Sequence, residues 1–338
     1  RRPGGAYGGR AIEAPRSNPI RAGRARQAVL GLALALTVLA LIQAAHRARQ
    51  GRSALLVWGP DVAAVLDPAR PAGQVYWRDP ASLDEGFPML PVAALLLAPF
   101  LALGDSLGDA CGAWIWALFK VALAWWMLAA SLRLAGAPAR SWPPWSLALV
   151  IALSARVLLS DVSHGNVNIP VGATVLGAGV AWSRGQDLRA GLLAGLGTAL
   201  KVTPGLLLVY FLWKRSLRGA LGWLTGVVFC ALVLPGPWVG FSRNAELAGA
   251  WWNQMIAPFA AGAPVTLVQT QQINQSYLGV LARWTTDSVA IDGDPPVSIQ
   301  VLELQPGELR ALLALAGLAT LAALLFCAPP RAERSAPT

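Results

Sequence analysis

The chain has 338 residues, 55% of them hydrophobic and 13% charged, where an ordinary soluble domain carries about 25% charged residues. So little polar surface cannot cover a water-soluble body of this size, and the mean hydropathy of +0.52 points the same way. The net charge of +10 argues for no nucleic-acid partner, because the basic residues crowd against apolar segments and leave no folded basic domain.

In chain order, residues 1–27 form a basic arm containing Arg1, Arg2, Arg10, Arg16, Arg21, Arg24 and Arg26. It is too long and too basic for an ordinary signal peptide, so it is expected to be a disordered cytoplasmic arm ahead of a retained first helix over 28–45. A membrane span needs about 20 apolar residues. Further candidates are 87–103, 111–132, 144–160, 167–183, 189–213, 219–235 and 308–327. Two longer polar stretches, 46–86 and 238–307, are expected to be loops with short amphipathic helices, and 328–338 a tail. The expected fold is therefore an all-α polytopic membrane protein, a single transmembrane domain over 28–327. The positive-inside bias puts the arm, Lys214 to Arg218 and Arg331 in the cytoplasm, and both polar stretches on the outer side. Simple alternation cannot also place Arg133 with Arg140 and Arg184 with Arg189 inside, so 87–103 or 189–213 is expected to kink or re-enter at its proline. Cys111, Cys230 and Cys327 lie far apart with no disulfide or metal-ligand spacing, and are expected to act as small apolar residues. Glycine spacings in 191–197 are helix-packing signals.

In such a chain the informative residues are polar ones at depth, since an ionisable group at mid-bilayer costs at least about 2.5–3.5 kcal/mol. Between two apolar runs, Asp161-Val162-Ser163-His164-Gly165-Asn166-Val167-Asn168 gathers an acid, an imidazole and two amides, either as a polar capping turn or as a site. Lys201, in Leu200-Lys201-Val202-Thr203-Pro204, interrupts 189–213 far from either end and needs an anion, either an aspartate of the protein or a ligand phosphate. Lys120 poses the same question more weakly. The outer stretches hold Trp58-Gly59-Pro60-Asp61, Tyr76-Trp77-Arg78-Asp79, Trp251-Trp252-Asn253-Gln254 and Gln272-Ile273-Asn274-Gln275-Ser276. Interfacial Trp and Tyr form aromatic belts by default. Clustered amides and carboxylates beside indole plates are also what a sugar needs, hydrogen bonds for its hydroxyls and an aromatic face for its ring.

At these residues the sequence resembles glycosyltransferase family 87, multi-spanning enzymes of the glycosyltransferase C superfamily. His164-Gly165-Asn166-Val167-Asn168, then Arg184-Gly185-Gln186-Asp187, Ala190-Gly191-Leu192 and Leu200-Lys201-Val202-Thr203-Pro204 look like the family's core pattern. Phe87-Pro88-Met89-Leu90-Pro91 with Leu97-Ala98-Pro99, and Asn274-Gln275-Ser276 with Leu281-Ala282-Arg283, are similar to its flanking segments. The resemblance implies a glycosyltransferase C-type bundle of about 8 to 10 membrane helices. It implies a hexosyltransferase at the plasma membrane that moves a mannose-like sugar from a polyprenyl-phosphate donor, with inversion, to a glycan or glycolipid acceptor on the extracytoplasmic side. It further implies an aspartate base in the first outer loop, matched by Asp61, with Asp79, Asp84 and Glu85 as rivals because the following stretch departs from the family pattern. Lys201, Arg78 and Arg283 are the candidates for the donor phosphate, and His164, Asn166, Asn168, Asn274, Gln275 and Trp252 for sugar and acceptor. No metal and no cofactor is expected. A transporter or flippase of lipid-linked glycans would show matching broken halves, which the sequence lacks. A non-catalytic membrane scaffold would leave Asp61, His164 and Lys201 without a common task.

Overall fold

A computed structural model describes residues 19–76, 87–136, 142–257, 277–291 and 295–327. Of the site candidates, Arg78, Asp79, Asp84, Glu85, Asn274 and Gln275 lie outside the described residues. Among the described residues, four helical stretches, Gly23–Leu66, Asp109–Leu134, Pro144–His164 and Leu217–Val239, are long and apolar enough to cross a membrane, and Pro91–Leu107 and Thr203–Trp213 are shorter apolar helices. The chain is an all-α polytopic membrane protein, and it divides into two compact units, residues 1–56 with 103–169 and residues 57–102 with 170–338.

The first unit is built on α1 (Pro19–Arg49), α6 (Asp109–Leu134) and α7 (Pro144–His164). α1 starts at Pro19 rather than at the apolar run beginning at 28, because proline suits a first helical turn and arginine is a good helix former. Ala40 and Ala44 of α1, Ala117 of α6 and Val162 of α7 bury together with Ile169, the small residues letting the helices approach closely. An apolar groove of about 90 Å³ opens among the same helices. Its two hydroxyls turn back to their own helices, Thr37 donating to the Ala33 carbonyl at 2.9 Å and Ser154 to that of Val150 at 2.7 Å, so the groove presents hydrocarbon. On the outer face of α7, Leu153 and Val157 are 72% and 70% exposed, one helical turn apart. A soluble monomer rarely leaves such a stripe in water, whereas lipid covers it.

The second unit holds α3 (Gly59–Leu66), α4 (Ala72–Val75), α8 (Asn168–Ser183), α9 (Asp187–Leu200), α10 (Leu206–Trp213), α11 (Leu217–Val228), α12 (Gly236–Val239), α13 (Phe241–Met255), α14 (Tyr277–Thr285) and α15 (Pro306–Cys327). α2 (Ala54–Val57) and α5 (Pro91–Leu107) run across the division, as does the start of α8. A small antiparallel hairpin pairs β1 (Val289–Ile291) with β2 (Val297–Ser298). α9 and α11 pack glycine to glycine. A Cβ on Gly191 would stand 2.1 Å from the Gly219 carbonyl, and one on Gly195 would stand 2.5 Å from that of Trp223. The contact is closed at both ends. Ser216 caps α11 by accepting from the Gly219 N–H at 3.1 Å and donates to Asp187 of α9 at 2.8 Å, while the Trp223 indole donates to Thr198 at 3.0 Å. Gly195→Val is expected to destabilise the protein by about 1–3 kcal/mol or more, because backbone rather than flexible side chain stands in the way. Gly249→Ala on α13, where nothing lies within 4 Å, should be neutral or stabilising by about 0.4–1 kcal/mol. Thermal unfolding of the two variants in one fixed detergent checks both, and equal midpoints would refute the close packing.

The run 189–213 is not one helix. α9 ends at Leu200, Lys201 is extended at φ −157° and ψ 130°, and a 3-10 turn over Thr203–Gly205 leads into α10. Pro204 lacks the N–H that a continuous helix would need and crowds the preceding turn. α11 likewise opens into a wide π turn over Phe229–Val233 before α12.

Candidate functional site

The His164 turn is fixed by its neighbours in the first unit. α7 closes on Gly165, left-handed at φ 82° and ψ 13°, whose N–H returns to the Asp161 carbonyl at 3.1 Å. Helix ends leave carbonyls without helical donors. Here α6 supplies them from two residues four apart, both fully buried. The Lys120 ammonium donates to the Asp161 carbonyl at 2.6 Å and the Val162 carbonyl at 3.3 Å, and lies 3.4 Å from an Asp161 carboxylate oxygen. The Trp116 indole donates to the Gly165 carbonyl at 2.8 Å, and the Lys120 ammonium sits 5.6 Å from its ring centroid. A cation at a helix C-terminus also meets the negative end of the helix dipole. Gly165 packs directly on the chain leaving α1, where a Cβ would stand 2.4 Å from the Ser53 hydroxyl and 3.1 Å from the Ala54 nitrogen.

The outcome is an exposed, oriented imidazole. His164 Nδ1 lies 2.7 Å from the Ser160 carbonyl oxygen, a contact that requires Nδ1 to carry the proton and donate it. In the neutral ring Nε2 is then the acceptor. Asn166 is half-buried within the turn, and Asn168 is exposed at the first position of α8, so one turn carries all three candidates.

Asp61 belongs to the second unit, in the first turn of α3 after Gly59-Pro60, and is half-buried. A carboxylate is favoured there by the unsatisfied N–H groups of the helix start. The far end of α3 is held from α13. The Arg243 guanidinium donates to the carbonyls of Ala64 at 3.1 Å, Val65 at 3.5 Å and Arg70. Asp67 shapes the turn between these carbonyls by accepting from the Ala69 N–H at 2.9 Å. The strand of chain into α5 is pinned twice, by the Tyr76 hydroxyl on the Met89 carbonyl and the Trp251 indole on the Pro88 carbonyl, each at 3.0 Å. Burial pushes the Tyr76 phenol well above its ordinary range, so it stays a neutral donor. Trp252, beside Trp251 on α13, is 54% exposed and free to present its indole face. Lys201 is exposed at the break between α9 and α10, a helix terminus rather than a helix interior. Arg283 is buried on α14.

The arrangement thus places His164, Asn166 and Asn168 on one turn of the first unit. It places Asp61, Trp252, Lys201 and Arg283 in the second, with the helices of Asp61 and Trp252 joined through Arg243. Sequence reading missed the supports: Trp116, Ser53, Arg243 and Asn244. The one local signal was the spacing of Trp116 and Lys120, which puts both on one face of an apolar helix.

The sequence model of glycosyltransferase family 87 matches residues 90–338. A polyprenol-phosphate-mannose-dependent alpha-(1-2)-phosphatidylinositol mannoside mannosyltransferase of Mycobacterium tuberculosis is 30% identical over 170 residues. That stretch covers 48% of this chain and 39% of the relative's length. No solved structure matches the chain.

Proposed function

Since the chain belongs to glycosyltransferase family 87, we propose that it transfers mannose from a polyprenyl-phosphate donor to a glycan or glycolipid acceptor at the extracytoplasmic face of the plasma membrane, inverting the anomeric centre. The observation that carries this reading is the family match over residues 90–338, which takes in the His164–Asn168 turn and Lys201. The donor follows from the mycobacterial relative, whose name states dependence on polyprenol-phosphate-mannose. Asp61 precedes the matched stretch, so its role rests on its place at the start of α3 and on the chemistry.

In that reaction the acceptor hydroxyl oxygen attacks C1 of the sugar, and its proton passes to the Asp61 carboxylate. The bond from C1 to the phosphate oxygen breaks, and the polyprenyl phosphate leaves with the electron pair. A base on the sugar face opposite the leaving group gives inversion. Positive charge from Lys201 and Arg283, with Arg78, stabilises the phosphate as negative charge gathers on it. Sugar hydroxyls are assigned to His164 Nε2 and to the amides of Asn166, Asn168, Asn274 and Gln275, and a pyranose face to the Trp252 indole. No step in this scheme calls for a metal.

The test uses purified protein in nanodiscs with radiolabelled polyprenyl-phosphate mannose and mannosylated phosphatidylinositol as the first acceptor. We expect label in a product whose new linkage is α by NMR. A β linkage would overturn inversion. No transfer from any lipid-linked hexose to any glycolipid would overturn the donor assignment.

A further inference from the structure

The C-terminal end of α3 is held from α13 by a side chain whose geometry suits it. Helix ends expose carbonyls and a partial negative charge. The planar, permanently charged guanidinium of Arg243 answers both, reaching the carbonyls of Ala64, Val65 and Arg70 with donors held in a rigid fork. These partners stand 173 to 179 residues away in sequence, so the contact fixes tertiary placement rather than local conformation.

The anchor is itself anchored. Asn244, the next residue, is fully buried, and its side-chain amide donates to the Ala231 carbonyl at 2.9 Å and the Leu232 carbonyl at 2.8 Å. Those carbonyls belong to the π turn inside the membrane-spanning stretch Leu217–Val239. The first turn of α13 therefore fastens α3 on one side to a membrane span on the other. α3 has 8 residues, which makes it a rod about 12 Å long. Asp61 is the third residue of that helix, and Arg243 grips carbonyls one helical turn further on.

We infer that Arg243 is a positioning residue for Asp61, setting the reach of its carboxylate toward the acceptor hydroxyl by holding the following turn of α3. The inference rests on the reading of Asp61 as base. Misplacing a catalytic group by about 1 Å costs up to about 100-fold in rate. Arg243→Ala in the full-length protein, assayed with the donor and acceptor named above, should lower kcat about 10- to 100-fold and leave the donor KM within about threefold. Arg243→Lys should recover part of the loss, since it keeps the charge but not the fork.

A double-variant cycle separates positioning from general damage. In an Asp61→Asn background, Arg243→Ala should cost less than about twofold more, because the group it positions is already gone. Undiminished kcat in Arg243→Ala, or a full multiplicative loss in the double variant measured against the residual rate of Asp61→Asn, would overturn the inference while the base assignment stood. Undiminished transfer by Asp61→Asn would remove the base assignment itself, and the inference with it. Should Arg243→Ala unfold, Arg243→Lys carries the same cycle.

Discussion

Asp61→Asn lowers transfer by about two to four orders of magnitude, the usual contribution of a positioned general base, and leaves donor KM nearly unchanged. The carboxamide has the shape of the carboxylate and can still accept a hydrogen bond from the acceptor, but it cannot take the proton. In the first turn of α3 the change forfeits only the interaction of the charge with the helix dipole, about 0.3–1 kcal/mol, so α3 should survive it. The loss corresponds to about 3–6 kcal/mol of transition-state stabilisation at about 1.4 kcal/mol per tenfold. Steady-state rates and a thermal midpoint measured on one preparation keep chemistry and folding apart. Parallel variants Asp79→Asn, Asp84→Asn and Glu85→Gln provide the comparison. If one of these silences the enzyme and Asp61→Asn does not, the base is assigned to the wrong carboxylate.

The second large effect concerns stability. Lys120→Met is expected to destabilise the protein by about 3–5 kcal/mol, because removing one member of a buried ion pair strands the charge of the other. The Asp161 carboxylate is nearly fully buried, and the Val162 carbonyl loses its Lys120 donor at the same time. Methionine keeps most of the lysine volume, so the loss measures charge and hydrogen bonding more than a cavity. Adding Asp161→Leu to Lys120→Met should restore a large part, since apolar replacement of a whole buried pair is often neutral. Chemical or thermal unfolding in a fixed membrane mimetic reads both variants. A double variant no more stable than the single one would show that the pair acts otherwise than through paired burial.

Much of the helical framework was legible because a bilayer makes composition nearly sufficient. The apolar runs 111–132, 144–160 and 167–183 correspond to Asp109–Leu134, Pro144–His164 and Asn168–Ser183. The first extends at both ends and the second at its C-terminal end, where polar residues continue the helix, and apolar content says little about that. The glycines at 191 and 195 announced close packing, and α11 meets them. The interruption of 189–213 was legible in Lys201 and Pro204, and α9 does end at Leu200, with a 3-10 turn over Thr203–Gly205 following from local backbone chemistry. The supports of the site were illegible for a different reason. Arg243 on an amphipathic helix looks like any solvated arginine, and only the fold brings the carbonyls of α3 to it from across the chain. Lys120 was noticed as a charge at depth, but its partner, Asp161, was read as part of a polar turn.

The break at Lys201 bears on how the chain enters the bilayer during synthesis. α9 has 14 residues and α10 has 8, lengths of about 21 Å and 12 Å, and each falls short of a hydrocarbon layer about 30 Å thick. When α9 leaves the ribosome its glycine side faces no partner, because α11 is still to be made. The segment is therefore expected to settle together with α11 as a helical pair, so damage within 187–228 should surface first as poor yield of integrated protein.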